Sequence, residues 1–317
     1  MGNKKWLVLV LCVLTVVLLS ACGQAASTQP PEEDSGATTG SDGETAQTGG
    51  ESTASGGEST LEKAKQAGKV VIGFANENPY AYKTQDGQLT GEAVEVARAV
   101  LKEMGINEME GKLVDFGSLI PGLKAKQFDM ITAGMFINPE RGKEVLFANP
   151  EYRVGEALGV KPGNPKNLHS YEDIKANPDV TVGVMTGAIE IEYLKKIGVK
   201  ESQIKIFNDQ PAVVGALKAG RVDAVTMTGP SLQAFINSEQ NKDIERVTDF
   251  KQPVIDGKEV WGYGATAFRK GDEDFQKAFN EGLQKLKDEG KLLEIISPFG
   301  FTEAELPGDV TSEELIK

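Results

Sequence analysis

Two nine-residue phrases constrain the fold of this chain more than anything else in it: Leu123-Lys-Ala-Lys-Gln-Phe-Asp-Met-Ile and Leu217-Lys-Ala-Gly-Arg-Val-Asp-Ala-Val. Each reads as the end of a helix, a short polar turn and the start of an apolar strand. No tandem repeat accompanies them. Two helix–turn–strand units of one design predict two lobes of related architecture.

Strand and helix patterns alternate on either side of both phrases, which predicts an α/β fold. Lys69–Ala75 is a β-branched strand that runs into a polar, aromatic loop, Asn76–Tyr82. Gly91–Met104 is a helix pattern with Val94, Ala97, Val100 and Leu101 on one face. Further strands are expected at Glu156–Lys161, Thr181–Met185, Ile204–Phe207, Ala224–Met227 and Gly262–Phe268. Helices are expected from Tyr171, over Ile189–Ile197 and Pro211–Lys218, and as an amphipathic helix over Asp274–Glu289. The 257 residues from Leu61 onward reach the length at which one hydrophobic core divides into two.

The stretch Asp115–Arg141 concentrates the chemistry. Phe116 precedes an apolar helix pattern (Leu119, Ile120, Leu123), and the Ser118 hydroxyl is expected to cap that helix. Phe128–Met135 reads as a buried strand, where Gly134 lets another group approach, and Phe136 follows it. Asn138-Pro139 is an N-cap and N1 pair, which puts Arg141 in the first turn of the next helix. A cation is poorly placed at that partially positive end unless an anion shares the site. A core phenylalanine and a surface arginine would give the same spacing, so the spacing alone leaves both readings open.

The N-terminal segment reads as an address. Lys4 and Lys5 precede an apolar run, Trp6–Leu19, followed by Ser20-Ala21-Cys22. A charged start, a short apolar core and small residues before a cleavage point predict a signal peptide over 1–21. The ending Leu19-Ser-Ala-Cys22 resembles the lipobox of bacterial lipoproteins, which implies a lipid on Cys22 and attachment to the outer face of the cell membrane. Cys12 would leave with the signal, so neither a disulfide framework nor a cysteine metal site is expected. Residues 22–60 read as a flexible acidic tether, whose low-complexity part carries seven acidic residues and no basic one. The formal charge is −13, or −15 once Lys4 and Lys5 are removed, so about half the excess lies in the tether. The folded part is only mildly acidic, which argues against nucleic-acid binding. No Gly-rich phosphate loop, metal-ligand spacing or Ser–His arrangement is present, so no cofactor, metal or catalytic residue is expected.

Taken together, Gly122–Arg141, Leu217–Val225, the strand–loop Thr181–Gly187 and the segment Tyr263–Ile296 resemble the solute-binding proteins of polar amino-acid-type ABC importers. The resemblance covers the chain after the tether. It implies a non-enzymatic, monomeric two-lobed periplasmic-binding-protein fold joined by two hinge strands, which closes on a ligand and presents it to ABC permease subunits. It places the crossings near Ala157–Val160 and Tyr263–Thr266, with lobe 1 at 61–157 and 265–317 and lobe 2 at 158–264. Within that family, Phe74–Tyr82, Leu89–Leu101, Asp115–Ala125 and Ile131–Arg141 look most like the ectoine/hydroxyectoine binders. This implies an aromatic cage of Tyr80, Phe116 and Phe136, with Arg141 on the ligand carboxylate and Glu77 accepting from ring N–H groups. Ectoine is a small zwitterion whose positive charge spreads over an amidinium ring. Each desolvated aromatic face attracts such a cation by roughly 0.5–2 kcal/mol.

Lobe 2 departs from the amino-acid binders. Their strand after this phrase usually ends in an aspartate for the ligand ammonium, and here Thr228 stands at that place. The usual Gly-Thr of the ligand loop is Gly187-Ala188, which moves the expected hydroxyl contact to Thr186. Glu190 suits a second acceptor and a solvated helix start equally well. Glu77 could serve an ammonium too, so an amino acid or a betaine on the same fold stays open as the ligand. A dehydratase on this fold would have Glu77 as its acid or base. The remaining polar residues have plain readings. His169, the only histidine, lies in a polar connection, Trp261 reads as packing, Glu92 and Glu95 as helix-dipole partners, and Asp129 and Asp223 as turn residues.

Overall fold

The computed structural model describes residues 57–237 and 242–317. The expected signal peptide, Cys22 and nearly all of the tether lie outside the described residues. The folded part begins slightly before Leu61. Ser59 caps a first helix, α1 (Thr60–Ala67), in a reciprocal capping box with Glu62. The Thr60 hydroxyl donates to Asp272.

Among the described residues, two short hairpins stand apart, and twelve strands form the two main sheets and the hinge ribbon between them. In chain order they are β1 (Lys69–Phe74), β2 (Glu108–Leu113), β3 (Met130–Ile131), β4 (Val145–Phe147), β5 (Tyr152–Val154) and β6 (Glu156–Val160), then β7 (Val182–Met185), β8 (Ile204–Phe207), β9 (Ala224–Thr228), β10 (Glu245–Arg246), β11 (Gly262–Gly264) and β12 (Ala267–Arg269). Most of them form two five-stranded sheets, β2-β1-β3-β12-β4 and β8-β7-β9-β6-β10. Each sheet has three parallel strands, followed by one antiparallel strand that arrives from the other lobe. This is the two-lobed periplasmic-binding-protein architecture.

The related design is visible down to single hydrogen bonds in the two phrases. In lobe 1 the turn is closed by the Lys126 amide on Leu123 O and the Gln127 amide on Gly122 O; in lobe 2 the Gly220 amide takes Leu217 O and the Arg221 amide takes Ala216 O. Asp129 then accepts from the Val71 amide (2.9 Å), and Asp223 accepts from the Thr181 amide (2.9 Å) and hydroxyl (3.0 Å). Both aspartates pin the incoming strand to its neighbour, which is the structural role their turn position predicts.

Two short segments cross between the sheets. β5 and β11 pair antiparallel as a separate ribbon, with Tyr263 opposite Arg153. The first crossing therefore falls at Tyr152–Gly155, earlier than the expected Ala157–Val160, because Glu156–Val160 already pairs in the second sheet. The single strand expected over Gly262–Phe268 is two, β11 in the ribbon and β12 in the first sheet.

Helices cover the sheets with apolar stripes. On α2 (Glu92–Glu103), Val94, Ala97, Val100 and Leu101 are buried, and they share one core with Phe275, Phe279, Leu283 and Leu286 of the long helix Glu273–Asp288. Each buried aromatic or aliphatic side chain of this kind contributes about 1.5–3 kcal/mol. The helix pattern after Phe116 forms as α3 (Leu119–Lys124), but Ser118 does not cap it. The chain enters through a 3-10 turn, Phe116–Ser118, so Ser118 is itself helical (φ −94°, ψ −4°) and its hydroxyl makes no capping bond.

Candidate functional site

The cleft between the lobes holds a narrow cavity of about 30 Å³. Seven of the eight candidate ligand-binding residues line it: Glu77, Tyr80, Phe116, Phe136, Arg141, Glu190 and Thr228. Thr186 does not. Its amide donates to Phe207 O, and it lies outside the cavity wall, beside Gly117. The lining residues sit where parallel strands end and helices begin, the usual ligand position in open α/β sheets.

Local rules explain each placement. Glu77 and Ala81 exchange backbone hydrogen bonds (2.8 and 2.9 Å), which folds the loop after β1 back on itself. The first amides of α2 then take the loop's carbonyls, Glu92 N to Pro79 O and Ala93 N to Tyr80 O. Tyr80 is thereby held against Gly134, whose φ of +64° and missing side chain are both required, since a Cβ there would lie 2.5 Å from the tyrosine ring. Asn138 caps α4 (Pro139–Glu144) by accepting from the Arg141 amide at 2.7 Å, as expected, and this sets the arginine at the cavity.

Among the described residues, three side-chain hydrogen bonds span the cleft. Tyr80 Oη donates to Thr228 Oγ1 (2.8 Å), Gln210 Nε2 to Glu77 Oε1 (2.6 Å), and Arg141 Nη2 to Gly187 O (3.0 Å). Arg141 Nη1 also donates to Phe136 O (2.7 Å), and the guanidinium lies 5.5 Å from the centre of the Phe116 ring. The lobes are closed on each other. Behind the cavity Tyr80 stacks on Tyr152 of the hinge ribbon (5.1 Å), and Tyr152 also meets Phe136 edge-on (6.4 Å). One aromatic cluster thus joins the cavity wall to the hinge.

Burial controls the electrostatics. Removal from water, reinforced by the nearby Glu190 and opposed by Arg141, pushes the Glu77 carboxyl up to about 8. Burial lowers Arg141, while Glu190, Tyr193, Glu192 and Glu77 hold it up. The Glu190 and Glu156 carboxyls are both raised, chiefly by burial.

Gln210 and Thr226 are polar wall residues that sequence reasoning missed; Gln210 also reaches across the cleft. It occupies the first position of the helix α6 (Gln210–Lys218), directly after the N-cap Asp209. The signal was available, since the same logic that brings Arg141 to the cavity applies to any first-turn residue after a strand end. The apolar Met185, Ala188, Ile189, Val213 and Met227 complete the lobe 2 wall, and no sequence signal separates them from ordinary core. Glu190 opens the intervening helix α5 (Glu190–Ile197) and is buried rather than solvated. Glu92 is corrected: it is fully buried against Glu151, with no hydrogen-bond partner, and is not a surface partner of the helix dipole. Glu95 instead accepts from Thr90 and Arg98. His169 bonds Asp249 and Asn167 away from the cavity, and Trp261 lies exposed over Arg153. Among the described residues no group of His, Cys, Asp and Glu is arranged to hold a metal, and no helix is long and apolar enough to cross a membrane.

Two sheet lobes, a two-stranded hinge and a closed polar–aromatic cavity define a two-lobed solute-binding protein. Residues 70–302 match the bacterial extracellular solute-binding proteins, family 3, and the chain belongs to that family. A probable amino-acid ABC transporter periplasmic-binding protein of Sinorhizobium fredii, y4tE, is 34% identical over 259 residues, covering 80% of this chain and 85% of the relative. The arginine-binding extracellular protein ArtP of Bacillus subtilis is 29% identical over 294 residues, covering 91% and 95%. Among solved structures, EhuB in complex with hydroxyectoine superimposes with a TM-score of 0.75 at 32% identity, covering 82% of this chain and 98% of that one.

Proposed function

We propose that this protein captures ectoine or hydroxyectoine between its lobes and delivers it to the permease of an amino-acid-type ABC importer, held at the membrane by a lipid on Cys22. The observation that carries the reading is the wall itself: one partly buried guanidinium shares the cavity with Tyr80, Phe116 and Phe136, and lobe 2 offers the Thr228 hydroxyl rather than a carboxylate at the end of β9. In this reading Arg141 exchanges Gly187 O for the ligand carboxylate, the aromatic faces take the amidinium ring, and Glu77 accepts from its N–H groups. A free α-ammonium at Thr228 would lack a charge-assisted hydrogen bond of about 1.5–3 kcal/mol. The likeness to the hydroxyectoine-bound EhuB supports the same choice. Closure is the working step: lobe 1 supplies most of the grip, lobe 2 completes it, and the ligand shifts the open–closed population by its differential affinity.

A second reading has its own support. Glu77 and Glu190 line the cavity and Glu156 lies against Glu190, so an amino acid with a basic side chain is also chemically suited, in line with the arginine-binding relative. Thermal unfolding of a fragment that starts upstream of Ser59, with ectoine, hydroxyectoine, glycine betaine, proline, glutamate, arginine and glutamine, separates the two. A ligand at a hundred times its Kd adds about 2.7 kcal/mol, which is a rise of several degrees. A rise with the ectoines alone is expected. A rise with arginine alone would replace the ligand and keep the site. Turnover of arogenate or prephenate by the same sample would replace binding with dehydration.

A further inference from the structure

Glu190 reaches the cavity from the first turn of α5, and Glu156 stands beside it at the start of β6. Their exposures are 4% and 2%. No N–H or O–H group among the described residues donates to either carboxyl oxygen of Glu156, and the Glu190 carboxyl is the charged neighbour that acts on it most strongly. Two carboxylates are both acceptors, so a hydrogen bond between them requires that one carries a proton. Two negative charges in one buried place are also too costly to coexist, and a single shared proton removes one of them.

We propose that Glu156 and Glu190 share one proton, with Glu156 as a positioning residue that donates to Glu190 and so presents a single anionic acceptor to the ligand's cationic N–H group. The inference rests on ligand capture in this cavity and deepens it by naming the charge of the ligand. Arg141 and Glu77 face the pair from lobe 1, and Tyr80, Tyr171 and Tyr193 are the other titratable groups around it. With Glu77 protonated below about 8, Arg141 and the singly charged pair balance. The empty cavity is then neutral and suits a zwitterion without net charge better than a ligand with a second cationic group. Both carboxyls are raised in the closed protein, so affinity is fullest on the acid side. It declines as rising pH removes the shared proton and closure has to bury a second negative charge.

Difference infrared spectra of the full-length chain near neutral pH, with and without hydroxyectoine, test the proton directly. Wild type minus Glu156→Gln should show the loss of a protonated carboxyl band, and wild type minus Glu190→Gln the loss of an ionised carboxylate. An ionised carboxylate lost with Glu156→Gln overturns the proposal. Calorimetry with hydroxyectoine supplies the second readout. Glutamine keeps a donor toward Glu190 and leucine does not, so Glu156→Leu should bind about tenfold more weakly than Glu156→Gln. Glu156→Gln should also lose the part of the alkaline decline in affinity that the shared proton sets. Equal affinities and an unaltered pH profile in that variant would overturn the role. If hydroxyectoine fails to bind wild type, the ligand assignment falls while the spectra still decide the shared proton. If it binds and the spectra show two carboxylates, the shared proton falls alone.

Discussion

At the scale of single residues, Arg141 and Phe136 are the most exacting test of the site. Arg141 is held by its own helix cap, by Phe136 O and by stacking on Phe116, so its removal empties a place without dismantling a core. We expect Arg141→Ala and Phe136→Ala each to weaken ligand binding at least about tenfold, or 1.4 kcal/mol, with a folded protein by circular dichroism. Unchanged affinity in both variants, measured by calorimetry, would remove this cavity as the binding site. Arg141 was legible because Asn138-Pro139 announces a helix start and a cation is out of place there. Thr186, marked for a hydroxyl contact only through the resemblance, is absent from the cavity wall, and its hydroxyl stands beside Gly117.

At the scale of elements, the twin helix–turn–strand units carry stability and the hinge ribbon carries shape. Asp223→Ala removes two hydrogen bonds to Thr181, at a cost of about 1–3 kcal/mol in unfolding free energy and roughly 2–8 °C in Tm. Ligand affinity should be unchanged, because Asp223 lies at the opposite end of β9 from Thr228. The hinge glycine behaves differently. A Cβ on Gly262 would lie 1.7 Å from the Phe136 ring, so Gly262→Ala must displace a cavity wall. The expected result is at least about tenfold weaker binding together with a loss of roughly 1–3 kcal/mol in stability. Native affinity in that variant would show that the ring position is irrelevant to the ligand. Neither the break between β11 and β12 nor the early first crossing was legible, since both depend on which strand lies next to which and not on local pattern.

At the scale of the whole molecule, the buried carboxyls set a pH dependence. Burial raises Glu77 to about 8, raises Glu151 to about 7 and lifts Glu92, Glu156 and Glu190 as well. Unfolded, these groups would titrate near the ordinary value of 4.5. Between 4.5 and about 8 the folded state therefore binds more protons than the unfolded one, and stability must fall as pH rises through that window. Thermal unfolding of the ligand-free protein should give a higher Tm at about pH 5 than at about pH 8. A Tm that rises over that interval would mean that these carboxyls are not buried as they stand here.

Local physics in the chain decided a great deal of this protein. Period, caps and turns placed the main strands and helices of both lobes, the paired phrases announced two related lobes, and the strand end and helix starts brought Phe116, Phe136 and Arg141 together, while Tyr80 came forward through the family resemblance. Those features depend on neighbours a few positions apart, so they are written in sequence. What only the tertiary structure decided are contacts between distant segments: Gln210 on Glu77, Tyr80 on Thr228, Glu156 against Glu190, and Glu92 buried against Glu151. A glutamate in a helix start looks the same in sequence whether it is solvated or buried. Its desolvation and its partner, which set its charge, are properties of the closed fold alone.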